Sequence, residues 1–241
     1  MARYAMVIDM QLCTGCGGCI IGCMNENNLP EGMRWSGKIA ETLGRYPLTR
    51  YHYRPTLCNH CENAPCVHGC PTKSLYKAEG GITAHDINKC IGCRYCMFNC
   101  PYEGVIYYNL RQPHAEWRNN TAVIPNSTST PAETLRRTGA RGWPIQNPDP
   151  DITYASIRPR GVVEKCTFCQ HRVINGELPY CVEVCPSKAR IFGDLDDPQS
   201  EVSRLLGMFP AERLREELGT RPRVYYIREF CPKPQPQPQA G

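Results

Sequence analysis

Phenylalanine is scarce in this sequence, at 5 of 241 residues, and tryptophan is scarcer, at 3. No stretch approaches the run of about 18 apolar residues that a membrane-crossing helix needs, so the chain is not expected to span a bilayer by itself. The stretch Met1-Ala2-Arg3-Tyr4-Ala5-Met6-Val7-Ile8-Asp9 carries one basic residue, and Asp9 breaks its apolar run. It lacks the apolar core of a secretory signal, and no twin-arginine pair precedes it. There is no Walker loop, no Rossmann fingerprint and no hydrolytic constellation. No basic run or RNA-binding signature points to a nucleic acid. With 22 prolines and 20 glycines, an apolar core built from this chain alone would be thin for its length. Something other than apolar burial must organise it.

Cysteine is what the sequence has in excess, at 17 residues. A disulfide-stapled secreted protein would show an even count and a signal segment. The odd count and the spacing favour metal ligation. Sixteen cysteines fall into four groups. Cys13, Cys16, Cys19 and Cys23 are spaced C-x2-C-x2-C-x3-C, and Cys58, Cys61, Cys66 and Cys70 are spaced C-x2-C-x4-C-x3-C. Cys90, Cys93, Cys96 and Cys100 repeat the first spacing, and Cys166, Cys169, Cys181 and Cys185 follow C-x2-C-x11-C-x3-C. Pro71, Pro101 and Pro186 close the last three groups, while Met24 follows the first. The repeat is one of motif, not of strict period.

Strand-like runs flank the groups: Tyr4 to Ile8, Val105 to Tyr108, Ala189 to Phe192 and Arg223 to Arg228. Ser74 to Lys77 and Ile82 to Ala84, joined across Gly80-Gly81, read as a hairpin. Each x3 segment before a fourth cysteine reads as one or two helical turns stopped by the proline. Asp197 as N-cap and Pro198 at the first position open a helix through Met208. Residues 24–57 and 101–165 interrupt the repeat. The second includes Asn126-Ser127-Thr128-Ser129-Thr130-Pro131 and Gln146-Asn147-Pro148-Asp149-Pro150, a loop-like composition. Residues 232–241 are rich in proline and glutamine and read as disordered.

Three cysteines at x2 intervals wrap one corner of a cubane, placing three thiolates on three irons. The fourth points away, and in two-cluster ferredoxins it ligates the other cluster. Each group should therefore supply three ligands to one [4Fe–4S] cluster and one to a neighbour. Zinc ribbons account for an isolated C-x2-C, not for three cysteines at x2 intervals, twice, each followed by x3-C. Four oxidised clusters at roughly −2 each change the formal charge of +5 to about −3. The basic excess therefore reads as compensation for cluster charge.

Four groups in this order, together with Cys166-Thr167-Phe168-Cys169 and Gly193-Asp194-Leu195-Asp196-Asp197-Pro198, resemble the four-cluster subunits of the molybdopterin oxidoreductases related to dimethyl sulfoxide reductase. The resemblance covers roughly residues 1–110 and 160–230. It implies an α+β fold of two interlocked ferredoxin-like halves, residues 1–23 with 160–230 and residues 50–110, each holding two clusters. It leaves 24–49 and 111–159 as loop-rich insertions that contact partners. Carried over residue by residue, the first cluster takes Cys13, Cys16, Cys19 and Cys185, and the second Cys23, Cys166, Cys169 and Cys181. The third takes Cys58, Cys61, Cys66 and Cys100, and the fourth Cys70, Cys90, Cys93 and Cys96. Some relatives replace the middle cysteine of the third group and hold a three-iron cluster; Cys93 here implies four cubanes.

Within the family, Met6-Val7-Ile8-Asp9, Pro55-Thr56-Leu57-Cys58-Asn59-His60-Cys61, Arg137-Thr138-Gly139-Ala140, Ile157-Arg158-Pro159 and Gly193 through Val202 are similar to the small subunits of respiratory arsenate reductases. That similarity implies a noncatalytic electron-transfer subunit. Its partners would be a large molybdopterin subunit and a quinol-linked cytochrome or membrane anchor. It also implies a periplasmic site reached with a signal-bearing partner, or a cytoplasmic one. Arsenite oxidation and thiosulfate, polysulfide, tetrathionate or dimethyl sulfoxide reduction remain open for the partner, and a free polyferredoxin shuttle is the alternative of another class. Lys73, Lys89, Lys165, Lys188 and Arg190 adjoin the groups as candidate counter-charges, or as solvated surface residues. His60, His68 and His171 are candidate hydrogen-bond donors, and Tyr51, Tyr53, Tyr102, Tyr107 and Tyr108 candidate packing residues. Cys231 is left over as an uninvolved thiol.

Overall fold

The computed structural model describes residues 2–27, 29, 32–102, 104–110, 129–139 and 159–229. The expectations for Cys231, for 232–241, and for 126–128 and 146–150 lie outside the described residues. The described strands are β1 (Tyr4–Asp9), β2 (Ser36–Leu43), β3 (Arg50–Leu57), β4 (Leu75–Lys77), β5 (Thr83–His85), β6 (Ile106–Tyr108), β7 (Val163–Lys165), β8 (Arg190–Asp194), β9 (Ala211–Glu212) and β10 (Val224–Ile227). The described helices are α1 (Gly18–Glu26), α2 (Pro65–His68), α3 (Tyr95–Asn99), α4 (Pro131–Thr138), α5 (Gln170–Val173), α6 (Tyr180–Glu183) and α7 (Glu201–Met208). The mixture of short strands and short helices is the expected α+β class. The contacts separate residues 1–108 with 161–241 from residues 109–160.

In the larger unit β1 is central. It pairs antiparallel with β8, Met6 facing Phe192, and parallel with β10, Met6 facing Val224. β9 adds an edge beside β10. A parallel pair needs a crossover, and here nearly the whole chain serves as one. The unbroken apolar run Ala5-Met6-Val7-Ile8 follows from burial on both faces. Alternation along the strand still sorts the side chains. Met6 and Ile8 pack with Val224, Tyr226, Phe168, Cys166 and Cys181, while Ala5 and Val7 pack with Ile191, Val202 and Ile227. Helix α7 supplies Val202 to the second face. Arg228 donates to both carboxylate oxygens of buried Asp9, tying the last strand to the end of the first.

The core is thin in the way the composition implies. Phe168 is the buried phenylalanine among the described residues, and nine cysteines belong to the buried apolar set.

The hairpin expected across Gly80-Gly81 is β4–β5, with Leu75 opposite His85. β6 pairs antiparallel with β7, joining the segment after the third cysteine group to the segment before the fourth. Four expectations need correction. The insertion between the first two groups is not all loop: β2 and β3 form an eight-pair antiparallel hairpin from Ser36–Leu57 to Leu43–Arg50. Its half-exposed, mixed polar and apolar faces give little periodic signal. Helix α7 begins at Glu201, with the Ser200 hydroxyl accepting from Ser203 N–H at 3.2 Å. Asp197 instead accepts from Gln199 N–H at 2.8 Å and shapes the preceding turn. Helix α1 does not stop at its fourth cysteine but runs on to Glu26, because Met24 stands where proline closes the other groups. In the smaller unit Pro131, placed with the loop-like residues, opens α4. There Thr130 and Glu133 form a reciprocal capping box, with Glu133 N–H to Thr130 Oγ1 at 3.3 Å and Thr130 N–H to Glu133 Oε2 at 2.8 Å.

Helices α1 and α6 pack face to face. A Cβ on Gly22 would lie 2.5 Å from Val184 Cγ2, whereas a Cβ on Gly207, in α7, meets nothing within 4 Å. Gly22→Ala should therefore destabilise the folded chain by ~1–3 kcal/mol through overpacking. Gly207→Ala should stabilise it by ~0.5–1 kcal/mol through helix propensity. Denaturant unfolding of the two variants checks the opposite signs.

Candidate metal centres

None of the sixteen described cysteines is in a disulfide. The C-x2-C segments fold as tight loops built on left-handed residues: Gly15 and Gly17, Gly92 and Arg94, His60, and Phe168 with Cys169. Such loops turn successive cysteines toward one point. At Gly92 only glycine fits, since φ is +67° and a Cβ would meet the Gly161 carbonyl oxygen at 1.9 Å. Backbone N–H groups close on the sulfurs, as from Phe168 to Cys166 Sγ at 3.4 Å and from Gly18 to Cys16 Sγ at 3.5 Å.

Cys58, Cys61, Cys66 and Cys100 line a small cavity with Asn59, Thr83 and Tyr102. Cys70, Cys90, Cys93 and Cys96 line another with His85 and Thr72. Cys23 lies among Cys166, Cys169 and Cys181. Cys13 has Cys19 and Cys185 as electrostatic neighbours, and Gly18, beside Cys16, approaches Pro186. These gatherings follow one another in space. Cys19 adjoins Cys181, and Cys166 adjoins Cys58. The contact of α2 with α3 links the two cavities, since Cys66 and Cys96 lie on these helices and Cys70 and Cys100 just beyond them. Where Cys166 meets Cys58, the rings of His60 and Phe168 stack with centroids 3.6 Å apart. Cys16 and Cys93 are exposed, whereas Cys23, Cys58, Cys61, Cys66, Cys96, Cys166, Cys169, Cys181 and Cys185 are buried.

Burial pushes the thiols of Cys23, Cys66 and Cys100 up to about 12, and neighbouring thiols add to it. Burial likewise pushes Cys96 and Cys169 up to about 11. Two thiols move the other way. At Cys70 burial acts upward, but the Leu75, Ser74 and Thr72 N–H groups and the Thr72 hydroxyl outweigh it. At Cys185 the Arg190, Ala189 and Ser187 N–H groups and the Ser187 hydroxyl do the same. The matched turns Cys70-Pro71-Thr72-Lys73 and Cys185-Pro186-Ser187-Lys188 aim N–H donors at sulfur, with Lys73 and Lys188 in the left-handed region. A set of buried thiols converging on shared space suits iron, which binds the thiolate and displaces the proton.

The donor chemistry fits [4Fe–4S] clusters in a second respect. Each cavity is lined by a residue whose buried side chain has polar atoms with no hydrogen-bond partner in the protein: the carboxamide of Asn59 at one and Nε2 of His85 at the other. Burial, with nearby Lys165, lowers His85 to about 4, so its ring is neutral.

Of the five candidate counter-charges, two are buried. Lys165 is 2% exposed and donates to the Thr83 carbonyl and to the Cys166 carbonyl at 2.8 Å. Arg190 is 3% exposed, with Nη1 3.7 Å from Cys181 Sγ and Nη2 3.3 Å from Ser36 Oγ. Burial works against its charge, but the Cys181 and Cys19 sulfurs more than offset that and hold it protonated. Lys73, Lys89 and Lys188 are exposed. Of the three histidines His60 is buried, accepting from Thr83 N–H at 3.1 Å, while exposed His171 pairs with Glu26 at 2.8 Å and His68 is exposed. Tyr53 donates to the Cys13 carbonyl, and Tyr102 shares a 2.5 Å hydrogen bond with Thr220 beside Cys61. Tyr51 is exposed and Tyr107 and Tyr108 are partly so. Sequence reasoning passed over Asn59, His85 and Thr83. The position of Asn59 inside Cys58-Asn59-His60-Cys61 was the available signal.

Removing the charge of Arg190 should destabilise the reduced form of the centre beside Cys181. Arg190→Met is expected to lower that reduction potential by roughly 60 mV, equivalent to ~1.4 kcal/mol for one electron. Lys188→Met should leave all potentials in place. Redox titration followed by electron paramagnetic resonance distinguishes the two.

Two family profiles, each described as a 4Fe-4S dicluster domain, match residues 49–118 and 89–190. The arsenate respiratory reductase iron-sulfur subunit ArrB of Shewanella sp. (strain ANA-3) is 50% identical over 95% of this chain and 97% of its own length. A selenate reductase subunit of Mesobacillus selenatarsenatis is 37% identical, over 93% of this chain and 72% of its own. The menaquinone reductase iron-sulfur cluster-binding subunit of Nitratidesulfovibrio vulgaris is 34% identical, over 93% of this chain and 88% of its own. With cysteine loops, converging thiols and buried counter-charges that suit [4Fe–4S] clusters, the chain belongs to the iron–sulfur electron-transfer subunits of the molybdopterin oxidoreductases related to dimethyl sulfoxide reductase.

Proposed function

We propose that the chain holds four [4Fe–4S] clusters in a row and relays single electrons along them within an arsenate respiratory reductase. The observation that carries this reading is the order of the four cysteine gatherings, with an exposed cysteine, Cys16 or Cys93, at each end. A relay needs ends that reach partners and a middle shielded from water. The first cluster takes Cys13, Cys16, Cys19 and Cys185, and the second Cys23, Cys166, Cys169 and Cys181. The third takes Cys58, Cys61, Cys66 and Cys100, and the fourth Cys70, Cys90, Cys93 and Cys96. Residues 1–23 with 160–230 then form one ferredoxin-like half and residues 50–110 the other. Within each half the two groups are cross-linked, because each cluster draws three ligands from one group and one from the other; the halves interlock because the first is built from segments on both sides of the second in the sequence.

The clusters supply one-electron chemistry; the chain's own residues hold them, exclude water and set the charge around them. Arsenate reduction is proposed from the 50% identical relative. The partners are a large molybdopterin catalytic subunit at the first cluster and a quinol-linked cytochrome or membrane anchor at the fourth. Among the described residues no helix is long and apolar enough to cross a membrane, so contact with the quinol pool runs through that anchor. The working site is periplasmic, reached together with a signal-bearing catalytic partner. The β2–β3 hairpin is the contact arm for the catalytic subunit. Lys38 at its base donates to the Gly15 carbonyl at 3.2 Å, beside the first group, and its tip exposes Tyr46 and Leu48, at 92% and 81%.

The purified protein should contain about 16 irons and 16 acid-labile sulfides per chain; a content near 8 of each rules the reading out. Cys16→Ser and Cys185→Ser should perturb the same paramagnetic centre, and effects on different centres would break the ligand assignment. Native size-exclusion chromatography should show the chain with a much larger subunit, and arsenate should reoxidise the reduced clusters of that complex. A monomer would favour a free electron shuttle.

A further inference from the structure

Asn59 lies between Cys58 and Cys61 and is 2% exposed. Its backbone is fixed by the Arg223 N–H, which donates to the Asn59 carbonyl at 2.8 Å. Asn59 lines the cavity shared by Cys58, Cys61, Cys66 and Cys100. Neither Nδ2 nor Oδ1 has a hydrogen-bond partner in the protein, although both are buried. Leaving a buried amide unsatisfied costs about 1–3 kcal/mol, and folded proteins leave few such groups. A leucine of similar size would avoid the cost, so the amide has a partner that the polypeptide does not provide.

The chemistry of the cavity identifies that partner. Its converging side chains are thiolates once iron is bound, and the sulfides of a cluster are acceptors too. An amide oxygen turned toward that shell would meet like partial charge; the amide nitrogen offers two donors. We infer that Asn59 donates an N–H hydrogen bond to a sulfur of the cluster held by Cys58, Cys61, Cys66 and Cys100, and through it raises that cluster's reduction potential. The direction follows from charge. Reduction adds an electron to the cluster, its sulfurs become better acceptors, and the bond strengthens in the reduced state. Asn59 is a positioning residue: it ligates no iron, and it acts on the cluster's energy through the sulfur. The fourth group has Thr167 at the corresponding place in Cys166-Thr167-Phe168-Cys169, so the junction between the second and third clusters is unsymmetrical.

The inference rests on the four-cluster ligand assignment above, and its test separates the two. Holoprotein carrying Asn59→Leu is titrated potentiometrically with electron paramagnetic resonance as the readout. At a fixed potential near the midpoint, the reduced-to-oxidised ratio of one centre should fall about tenfold, which is 59 mV for a one-electron couple. That centre should be the one that Cys61→Ser perturbs, and the other three should not move. Asn59→Gln, which keeps the donor, should recover most of the potential lost in Asn59→Leu. Pulsed hyperfine spectroscopy in deuterated buffer should show an exchangeable deuteron coupled to this centre that is lost in Asn59→Leu, while those of the Tyr102 N–H at Cys100 and of the hydroxyls at Cys61 remain. If Asn59→Leu does not assemble its clusters, Asn59→Ala is measured in the same way. Unchanged potentials and an unchanged deuteron signal, with four centres intact, overturn the role of Asn59 and leave the relay standing. A shift in a different centre overturns it as well. If Cys61→Ser perturbs no centre at all, the ligand assignment itself has failed.

Discussion

Sulfur atoms from distant parts of the chain must meet, and the rest of the structure answers to that demand. Cys23 lies among cysteines more than 140 residues later, and Cys185 beside Cys13. Cys70 and Cys100 each line a cavity with three cysteines of the other group. The central position of β1, between β8 and β10, brings the first and last cysteine groups into one region. The β6–β7 pair does the same for the third and fourth. Helix α1 contains both Cys19 and Cys23; four residues of helix separate them by about 6 Å along the axis, enough to serve two neighbouring centres from one rigid element. A chain with one buried phenylalanine among its described residues has little apolar material with which to hold such an arrangement. Iron–thiolate bonds supply what burial does not, and folding is thereby coupled to cluster assembly.

Negative charge is the second consequence. Clusters with thiolate ligands carry charge into a region where desolvation already pushes the free thiols upward. Lys165 and Arg190 are buried beside them, one directly before the first cysteine of the fourth group and the other five residues after its last. Lys165 is fixed by carbonyls and Arg190 by Ser36 and the Cys181 sulfur. Their charges therefore act at short range in a low-dielectric setting, where they count for more than the exposed lysines. The backbone N–H groups around Cys70 and Cys185 add a smaller contribution of the same sign. The formal excess of +5 is thus distributed with purpose: part of it lies where the cluster charge is.

Relatives named for arsenate, selenate and menaquinone match over 93–95% of this chain. Among the described residues, the surroundings of the cysteines contain thiols, amides and fixed cations, and no group shaped to tell one oxyanion from another. A relay of this kind is indifferent to the terminal substrate and responds to potential and docking geometry. The elements outside the cysteine groups, above all the β2–β3 hairpin with its exposed tip, are where a partner's identity would be read.

Cysteine spacing alone determined the chemistry, because a C-x2-C-x2-C loop has few physical uses and this chain repeats it. The strands around the groups were also legible, since each is a short apolar run bounded by turn residues. Spacing could not say which of five basic residues beside the groups are buried, because Lys165 and Lys188 are the same residue type and both lie within three residues of a cysteine. Nor could it reveal the β2–β3 hairpin, whose faces are half-exposed and carry no clean alternation, or the true start of α7, where Ser200 caps and Asp197 only turns the chain. Tertiary structure decided these matters, together with the orphaned amide of Asn59, because burial and hydrogen bonding depend on segments brought together from far along the chain.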